Sequence, residues 1–485
     1  MKNLILTVLV IASSFMYFGC DDALNINVDP LAATSANGDL LFTEVLVNLS
    51  NNRTIETTGR TAAIVQYVEP AFGVFGDMAL GELGNTFLVG NVWSNLYSIG
   101  LKNLDLVEQD AAAAEPPNNN IVAQSQILQG FIYYILVNLW EDIPFSEAVN
   151  ADFPTPGYDD QETVLRGLVT QMDAAVALID RSEDAIRVTS GDLVFGGNMG
   201  NWERFANSIK LKALMLLANK DQSVASQIAE TMTQPLIDEL EFEAEFQYYD
   251  APGDYNPIWN TLNRFSGGSN PEWWIGSTTL QGVLEELNDP RISTYYDESD
   301  EPDVVGSGEF RPGASPGSFG DCGDCSVVSL NILRPDFPDR YVIASSINLL
   351  QAEAIARGFA PGGMAAADAM YRKAIMQSMD YYDNKPGAIA PAEKEGYINS
   401  LAPLESLSGA DALRAIHIQL YLSNFWRMPE GWTQWRRTKV PDLVVPQNSQ
   451  LTDVIRRFFY PPDEKGANPN TPTDPPLESP MWYEN

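Results

Sequence analysis

Residues 341–382 constrain the fold of this chain more than any other stretch, because two helical patterns flank a helix-breaking turn. Apolar or small side chains recur at spacings of three and four in both patterns, which places them on one helix face: Ile343, Ile347, Leu350 and Ala354, then Ala367, Tyr371, Ala374, Ser378 and Tyr382. The sequence GFAPGG between them breaks a helix. The stretch therefore predicts a helical hairpin. Such a hairpin needs similar neighbours to bury its apolar surfaces, as in helical-repeat proteins.

The rest of the chain divides into helical and irregular parts. Helical periodicity in residues 39–239 and 340–460 predicts the scaffold. Between them, residues 240–339 are rich in tyrosine, tryptophan, glycine and proline, and predict loops and short strands around one brief helix near residues 280–287. Residues 461–485 form a proline-rich tail of low predicted structural content. The predicted fold class is therefore mainly α, with a few short strands.

The N-terminal residues resemble a bacterial lipoprotein signal peptide. Lys2 precedes an apolar run over residues 4–18 that is too short to span a bilayer comfortably, and Gly19-Cys20 follows. We predict that Cys20 is acylated and anchors the protein to a membrane. Secretion with a free Cys20 is the alternative, because Tyr17 and Phe18 are bulky for this position. The predicted segments are a signal peptide (1–19), a tether (20–38) and one body (39–485).

The charge balance limits the partners. Lysine and arginine total 29 against 65 aspartates and glutamates, which gives a formal net charge of -36. Binding to a polyanion needs cationic contacts, so nucleic acid and bare anionic lipid are poor candidate ligands. Neutral sugars, peptides and cations remain.

The remaining cysteines, Cys322 and Cys325 in GDCGDCS, predict a small disulfide loop in an exported protein. A zinc site is disfavoured, because two more ligands would be needed and the chain has a single histidine, His417. The acidic run over residues 296–303 lacks the spacing of an EF-hand calcium loop. We predict no metal site and no cofactor, and calcium binding at this acidic run is the alternative.

A catalytic site is also not predicted. GASPG, residues 313–317, matches the G-x-S-x-G nucleophile elbow in form, but the residue after Ser315 is Pro316, which has no N–H for an oxyanion hole. Carboxylate pairs of the kind that hydrolyse glycosides are uninformative among so many acidic residues. A glycosidase is therefore the least favoured class.

Several segments, taken in order behind the lipoprotein signal, resemble the SusD/RagB-like outer-membrane lipoproteins, in particular the SusD-like starch-binding-associated branch. The segments are NLWEDIPFSEAV, PGYDDQETVLRGLVTQMDAA, WERFANSIKLKALML, LQAEAIARG, IHIQLYL, WTQWRRTKVPDL and RRFFYPPDE. The resemblance implies a scaffold of tetratricopeptide-like helix pairs and an irregular half that faces ligand. It also implies a location on the outer surface of the outer membrane, as the lid of a TonB-dependent, SusC-like barrel transporter. No binding residue is transferred by it.

Candidate ligand residues follow from the chemistry of sugar binding, which uses flat aromatic faces and nearby hydrogen-bonding groups in a concave site. The irregular region supplies that mixture best, and a glycine-punctuated loop near residue 72 is second. We expect one member of each aromatic pair to be buried and one exposed, because neighbours in an extended segment point opposite ways. The candidates are Trp259, Trp273, Trp274, Tyr295, Tyr296, Asn263, Arg264, Phe72 and Phe75. Burial of these aromatics beneath long loops is the alternative.

The predicted function is capture of an oligosaccharide at the cell surface and its delivery to the barrel transporter. A peptide ligand in the same transport system is the first alternative. A helical-repeat scaffold protein without a transport role is the second.

Overall fold

The computed structural model describes residues 38–70, 73–82, 86–266, 274–298, 309–311, 313, 315–318 and 324–484. Several predictions concern residues outside these ranges: Cys20, Phe72, Trp273 and Cys322. Cys325 is described and is disulfide-bonded. Its pairing with Cys322 stays a prediction, as do the signal peptide, the tether and the boundaries of the body.

The N-terminal half is a series of helices. They are α1 (Gly38–Asn51), α2 (Gly59–Ile64), α3 (Gly73–Gly76), α4 (Thr86–Ser94), α5 (Lys102–Ala113), α6 (Asn119–Trp140), α7 (Gln161–Ala177), α8 (Met199–Leu217) and α9 (Ala225–Thr231). Two π-helical segments, Asn52–Thr58 and Asn95–Leu101, join α1 to α2 and α4 to α5. Helices α5 to α8 each pack against the next one in sequence.

The C-terminal half continues with α10 (Pro257–Ser266), α11 (Thr278–Leu287), α12 (Ile292–Tyr295), α13 (Ala344–Ala356), α14 (Gly363–Asp380), α15 (Pro391–Ser400), α16 (Gly409–Ser423), α17 (Met428–Thr438) and α18 (Pro462–Ala467). The strands are β1 (Val68–Pro70), β2 (Ala244–Phe246), β3 (Trp274–Gly276) and β4 (Asp339–Val342). β1 pairs antiparallel with β3, and β2 with β4. The mainly α prediction, with a few short strands, is confirmed.

Local sequence explains where the main helices begin. Asp160 accepts a hydrogen bond from the Thr163 backbone N–H (2.7 Å) at the start of α7, and Asn198 does the same for Asn201 (3.1 Å) at the start of α8. Such side chains satisfy N–H groups that have no partner within the helix. Helix α6 lacks a polar face over most of its length, because neighbouring helices cover it on several sides.

The hairpin predicted over residues 341–382 is confirmed as α13 and α14, which pack against each other. Its turn needs glycine, because Gly358 and Gly362 have φ angles of 75° and 134°. A Cβ atom on Gly362 would also lie 2.8 Å from the Cβ of Ala366. Helix α13 packs on α16 as well, so the hairpin belongs to a larger helical frame.

The irregular region is more helical than predicted. The brief helix expected near residues 280–287 is α11, but α10 and α12 were missed. The prediction failed at α10 because asparagines, glycines and prolines flank it. Pro257 is at its first position, where a missing N–H costs nothing.

A buried arginine joins the irregular region to the frame. Arg291 has no exposed surface and forms an ion pair with Asp289. Its guanidinium also donates to Ser378 Oγ on α14 (2.8 Å) and to Gln419 Oε1 on α16 (2.5 Å). The region that precedes the hairpin is therefore fixed to it by polar contacts in the core.

The C-terminal tail has little regular structure but packs against the body. It contains α18, and the side chains of Met481 and Tyr483 are buried in the main hydrophobic core. The Glu484 carboxylate accepts a hydrogen bond from Arg456 (2.9 Å). Prolines exclude long regular elements here, but they do not prevent packing.

Candidate functional site

Three of the predicted ligand aromatics are core residues. Trp274, Tyr295 and Tyr296 are 2%, 2% and 1% exposed. The ring of Tyr295 stacks on Phe425 with centroids 4.3 Å apart, and its hydroxyl donates to the Leu422 carbonyl (3.0 Å). The Tyr296 hydroxyl donates to a backbone carbonyl at 2.7 Å. These rings present no face to a ligand, so their assignment as ligand contacts is wrong.

The expectation that one member of each aromatic pair is exposed fails at Tyr295 and Tyr296. Tyr295 ends helix α12, and Tyr296 forms a β-bridge with Val328. The pair therefore does not follow the alternation of an extended segment, and both rings reach the core around Phe425. Trp273, the neighbour of Trp274, lies outside the described residues.

Phe75 belongs with this interior group. Its ring lies 5.1 Å from Trp274, which in turn contacts Trp426 at 5.9 Å. A Cβ atom on Gly59 would come within 2.9 Å of the Phe75 ring, so the ring is closely packed on α2. We treat Phe75 as a supporting residue and not as a ligand contact.

Trp259 lies at the surface, in a second aromatic group. Its ring contacts Tyr255 with centroids 4.8 Å apart, and both side chains are half-buried. Tyr249, at the other end of a tight loop, is 60% exposed. The Tyr249 N–H donates to the Asp254 carbonyl (2.9 Å), which closes the loop and brings Tyr249 close to Tyr255 in space.

Helix α10 carries the remaining predicted residues. Trp259 and Asn263 are four residues apart, and so are Asn260 and Arg264, so each pair lies on one side of the helix. Asn263 is half-buried, whereas Asn260 and Arg264 are exposed. The structure places them on a helix, where loops were predicted.

Asn256 fixes the start of α10 and is not available to a ligand. Its Oδ1 accepts from the Ile258 N–H (3.0 Å), and its Nδ2 donates to the Phe337 carbonyl (2.8 Å). Its own N–H donates to the Pro335 carbonyl at 2.7 Å. These bonds attach the aromatic helix to the segment that leads into β4.

A cavity of about 230 Å³ lies beside this surface group. We call it the tyrosine-loop site. Its lining combines ring faces, aliphatic side chains and polar groups, and comprises Val47, Asn51, Leu193, Phe246, Gln247, Tyr248, Tyr249, Gly253, Asp254 and Tyr255. Val47 and Leu193 are 38% and 42% exposed, so apolar surface continues beyond the loop.

The floor of the tyrosine-loop site is held by a buried tyrosine. The Tyr248 hydroxyl donates to Asn51 Oδ1 (3.4 Å) and lies 3.2 Å from Thr54 Oγ1 in the first π-helical segment. Burial raises the pKa of Tyr248 well above its usual value, and the charge of Asp339 acts in the same direction. Tyr248 is therefore a neutral hydrogen-bonding group at every physiological pH.

The chemistry of the site favours an uncharged ligand with both ring faces and hydroxyls. Asp254 is the acidic residue of the lining, and no lysine or arginine is among the lining residues that the structure describes. Among the described residues, no group of three potential metal ligands is found. The lining offers apolar contact and hydrogen bonds.

None of the nine predicted ligand residues is among the described lining of the tyrosine-loop site, although the site borders the predicted region at Tyr249. Tyr249, Tyr255 and Asp254 were not selected, although YYDAPGDY is a tyrosine-rich turn sequence. Val47 and Leu193 carried no signal, because their proximity to the loop depends on tertiary packing.

The helix pairs thus support an irregular region that carries a cavity lined in part by aromatic rings. The sequence profile of the SusD-like family described as "Starch-binding associating with outer membrane" matches residues 30–461. The chain therefore belongs to the SusD-like family. Members of this family associate with the outer membrane and are binding proteins. No curated protein matches the sequence significantly.

Solved structures show the same fold. A chitin-binding protein superposes with a TM-score of 0.77 at 21% identity, covering 89% of this chain and 94% of that protein. A SusD homolog from Bacteroides uniformis gives 0.76 at 19% identity, with coverages of 92% and 99%. A SusD/RagB family protein from Bacteroides thetaiotaomicron gives 0.74 at 18% identity, with 90% and 95%. In the described part of the chain, no helix has both the length and the apolar character to cross a membrane.

Proposed function

We propose that the protein captures an oligosaccharide at the cell surface through the tyrosine-loop site. The observation that carries this proposal is the 60% exposed ring of Tyr249 beside the cavity shared with Tyr255. An exposed aromatic ring next to a concave, partly polar surface matches the needs of a pyranose, which offers an apolar C–H face and a rim of hydroxyls. Residues Trp259, Asn263 and Arg264 extend the surface along α10.

The charge of the protein narrows the ligand class. A formal net charge of -36 repels uronates and sulfated glycans, and Asp254 contributes to that repulsion within the site. The proposed ligand is therefore a neutral oligosaccharide. A peptide is the second candidate, because the exposed Leu193 and Val47 would also suit apolar side chains.

The proposed role in transport rests on the family. We infer that Cys20 is lipidated, that the protein faces the exterior of the outer membrane, and that it covers a SusC-like, TonB-dependent barrel transporter. The match to an outer-membrane-associated family supports this role.

Replacing Tyr249 by alanine is expected to weaken binding of a neutral oligosaccharide about tenfold or more, which corresponds to about 1.4 kcal/mol. The variant would lose an aromatic face that contacts the sugar, and the core would be unaffected because the Tyr249 ring is exposed. Isothermal titration calorimetry with the oligosaccharide identified from a glycan panel would measure it. The matched control is Ile186→Ala, since Ile186 is 61% exposed and does not line the cavity. Equal affinities of the wild type and Tyr249→Ala would reject the site.

Extraction of the membrane-bound protein is expected to bring down a large barrel partner. The measurement is affinity purification from detergent-solubilised membranes, followed by mass spectrometry, with a Cys20→Ala variant as control. That variant lacks the acylation site and should appear in the soluble export fraction. Recovery of the wild type alone from the membrane would favour the scaffold alternative over the transport role.

A further inference from the structure

A second cavity, of about 250 Å³, lies where the C-terminal tail meets the second π-helical segment. We call it the tail cavity. It shares no lining residue with the tyrosine-loop site. Its walls come from the end of α4, the second π-helical segment, the loop after α6, and the region of α18. The lining residues are Trp93, Ser94, Tyr97, Ser98, Pro144, Ala148, Val149, Pro154, Pro156, Glu464, Ala467 and Asn468.

One carboxylate is held in a fixed position at this cavity. Glu464 Oε2 accepts from Trp93 Nε1 (3.3 Å), and Glu464 Oε1 accepts from the Tyr158 hydroxyl (2.9 Å) and from Asn468 Nδ2 (3.1 Å). A carboxylate has about four acceptor positions, so three donors leave room for one more. Glu464 is half-buried and is one of the residues that line the cavity.

Aromatic rings provide the apolar part. The rings of Trp93 and Tyr97 contact each other with centroids 4.8 Å apart, and both line the cavity. The Tyr97 hydroxyl donates to the Pro144 carbonyl (2.8 Å), which fixes the ring against the opposite wall. Tyr97 is half-buried and supplies the aromatic face, whereas Trp93 is 4% exposed and supports Tyr97 from the core.

The backbone around the tail cavity is unusual at two places. Val149 has a φ angle of 59°, a conformation that is costly for a β-branched residue. Tyr97 and Ser98 lie in the π-helical segment Asn95–Leu101. Strained residues and π-helical turns both concentrate at functional sites, because the surrounding structure must stabilise them. Neither observation defines a ligand, but both occur at the walls of one cavity.

We propose that the tail cavity is a second carbohydrate site, which takes one neutral pyranose unit. Its volume is below the roughly 300–1,000 Å³ of pockets for drug-sized ligands, so it suits one ring and not a chain. Glu464 would accept a sugar hydroxyl, while the ring of Tyr97, supported by the buried Trp93, contacts the sugar ring. The described lining contains the carboxylate of Glu464 and no lysine or arginine, which disfavours anionic sugars. The proposal is independent of the tyrosine-loop site.

Saturation-transfer NMR of the full chain with methyl glycosides of neutral hexoses tests this inference. Ser98 is exposed at the rim, so Ser98→Trp should fill the cavity without disturbing the core. We expect Ser98→Trp to weaken binding at least tenfold and Glu464→Gln to weaken it about tenfold, the effect of losing a charged acceptor. Ser226→Trp, on the exposed side of α9, is the matched control and should bind as the wild type does.

The two sites are separated by the Tyr249→Ala variant. If monosaccharide binding survives in Tyr249→Ala but is lost in Ser98→Trp, the second site is supported whatever the fate of the first. If Tyr249→Ala abolishes all binding and Ser98→Trp changes nothing, the second site is rejected. Binding of glucosamine alone, lost in Glu464→Gln, would also overturn the proposal, because it would define a cation site.

Discussion

Replacing Glu353 by alanine is expected to lower the free energy of unfolding by about 3–5 kcal/mol, since it leaves buried cations without their counter-ion. Both Glu353 oxygens accept from Arg437, at 2.5 Å each. Arg357 lies 3.1 Å and His417 3.3 Å from the same carboxylate. The Glu353 side chain is 1% exposed, so water cannot replace these contacts. Urea denaturation followed by circular dichroism measures the change.

The control for this prediction is an ion pair at the surface. Arg414 and Asp442 are 2.8 Å apart with side chains 49% and 83% exposed, so Asp442→Ala should change stability by less than about 1 kcal/mol. Similar losses in Glu353→Ala and Asp442→Ala would contradict the structural role of the buried pair.

The same cluster has a defined pH dependence. Burial acts to raise the pKa of Glu353, but the charges of Arg437 and His417 outweigh it and hold the pKa well below its usual value. A depressed pKa contributes stability above the unfolded-state pKa of about 4.5, and that contribution is lost as the pH falls below it. The decrease in the free energy of unfolding below about pH 4.5 should therefore be smaller in Glu353→Gln than in the wild type.

The Glu353 cluster shows why the sequence predicted the fold well. Glu353 lies in LQAEAIARG and Arg437 in WTQWRRTKVPDL, two of the segments that carry the family resemblance. In the structure the two segments meet through this ion pair, which joins α13 to α17. Segments of this kind are recognisable because they hold the frame together. Because contacts within the frame are enough to explain these segments, their presence in a sequence does not by itself identify a ligand.

The candidate site was predicted less well, and Trp274 and Tyr295 show the reason. Their composition and loop setting match a sugar site, but their burial depends on Phe425 and Trp426, which follow more than a hundred residues later. A single sequence contains no measure of such contacts. Tyr249 was missed for the converse reason, because its exposure depends on a loop closed by one backbone hydrogen bond.

A buried carboxyl with few partners lies at the pairing of β1 with β3. Glu69 is 1% exposed, and Glu69 Oε2 accepts from the Gly317 N–H (3.0 Å). Glu69 Oε1 has no hydrogen-bond partner among the described residues. Burial raises the pKa of Glu69 to about 8, and the bond from Gly317 opposes that shift only in part. Glu69 is therefore mainly protonated in the folded protein at neutral pH.

Replacing Glu69 by glutamine is expected to stabilise the protein, by an amount that grows with pH. Because the pKa is raised in the folded protein, the contribution of Glu69 to the free energy of unfolding is fully present below about pH 4.5. That contribution is lost progressively as the pH rises to about 8. The loss is at most about 1.4 kcal/mol per pH unit. Glutamine does not titrate, and its carbonyl can still accept from Gly317. Urea denaturation at a series of pH values should therefore show that the gain in the free energy of unfolding of Glu69→Gln over the wild type rises from pH 5 to pH 8 and then levels off. Glu395→Gln, at an exposed position, should show no such rise, and a parallel pH profile for Glu69→Gln and the wild type would show that Glu69 is ionised in the folded state.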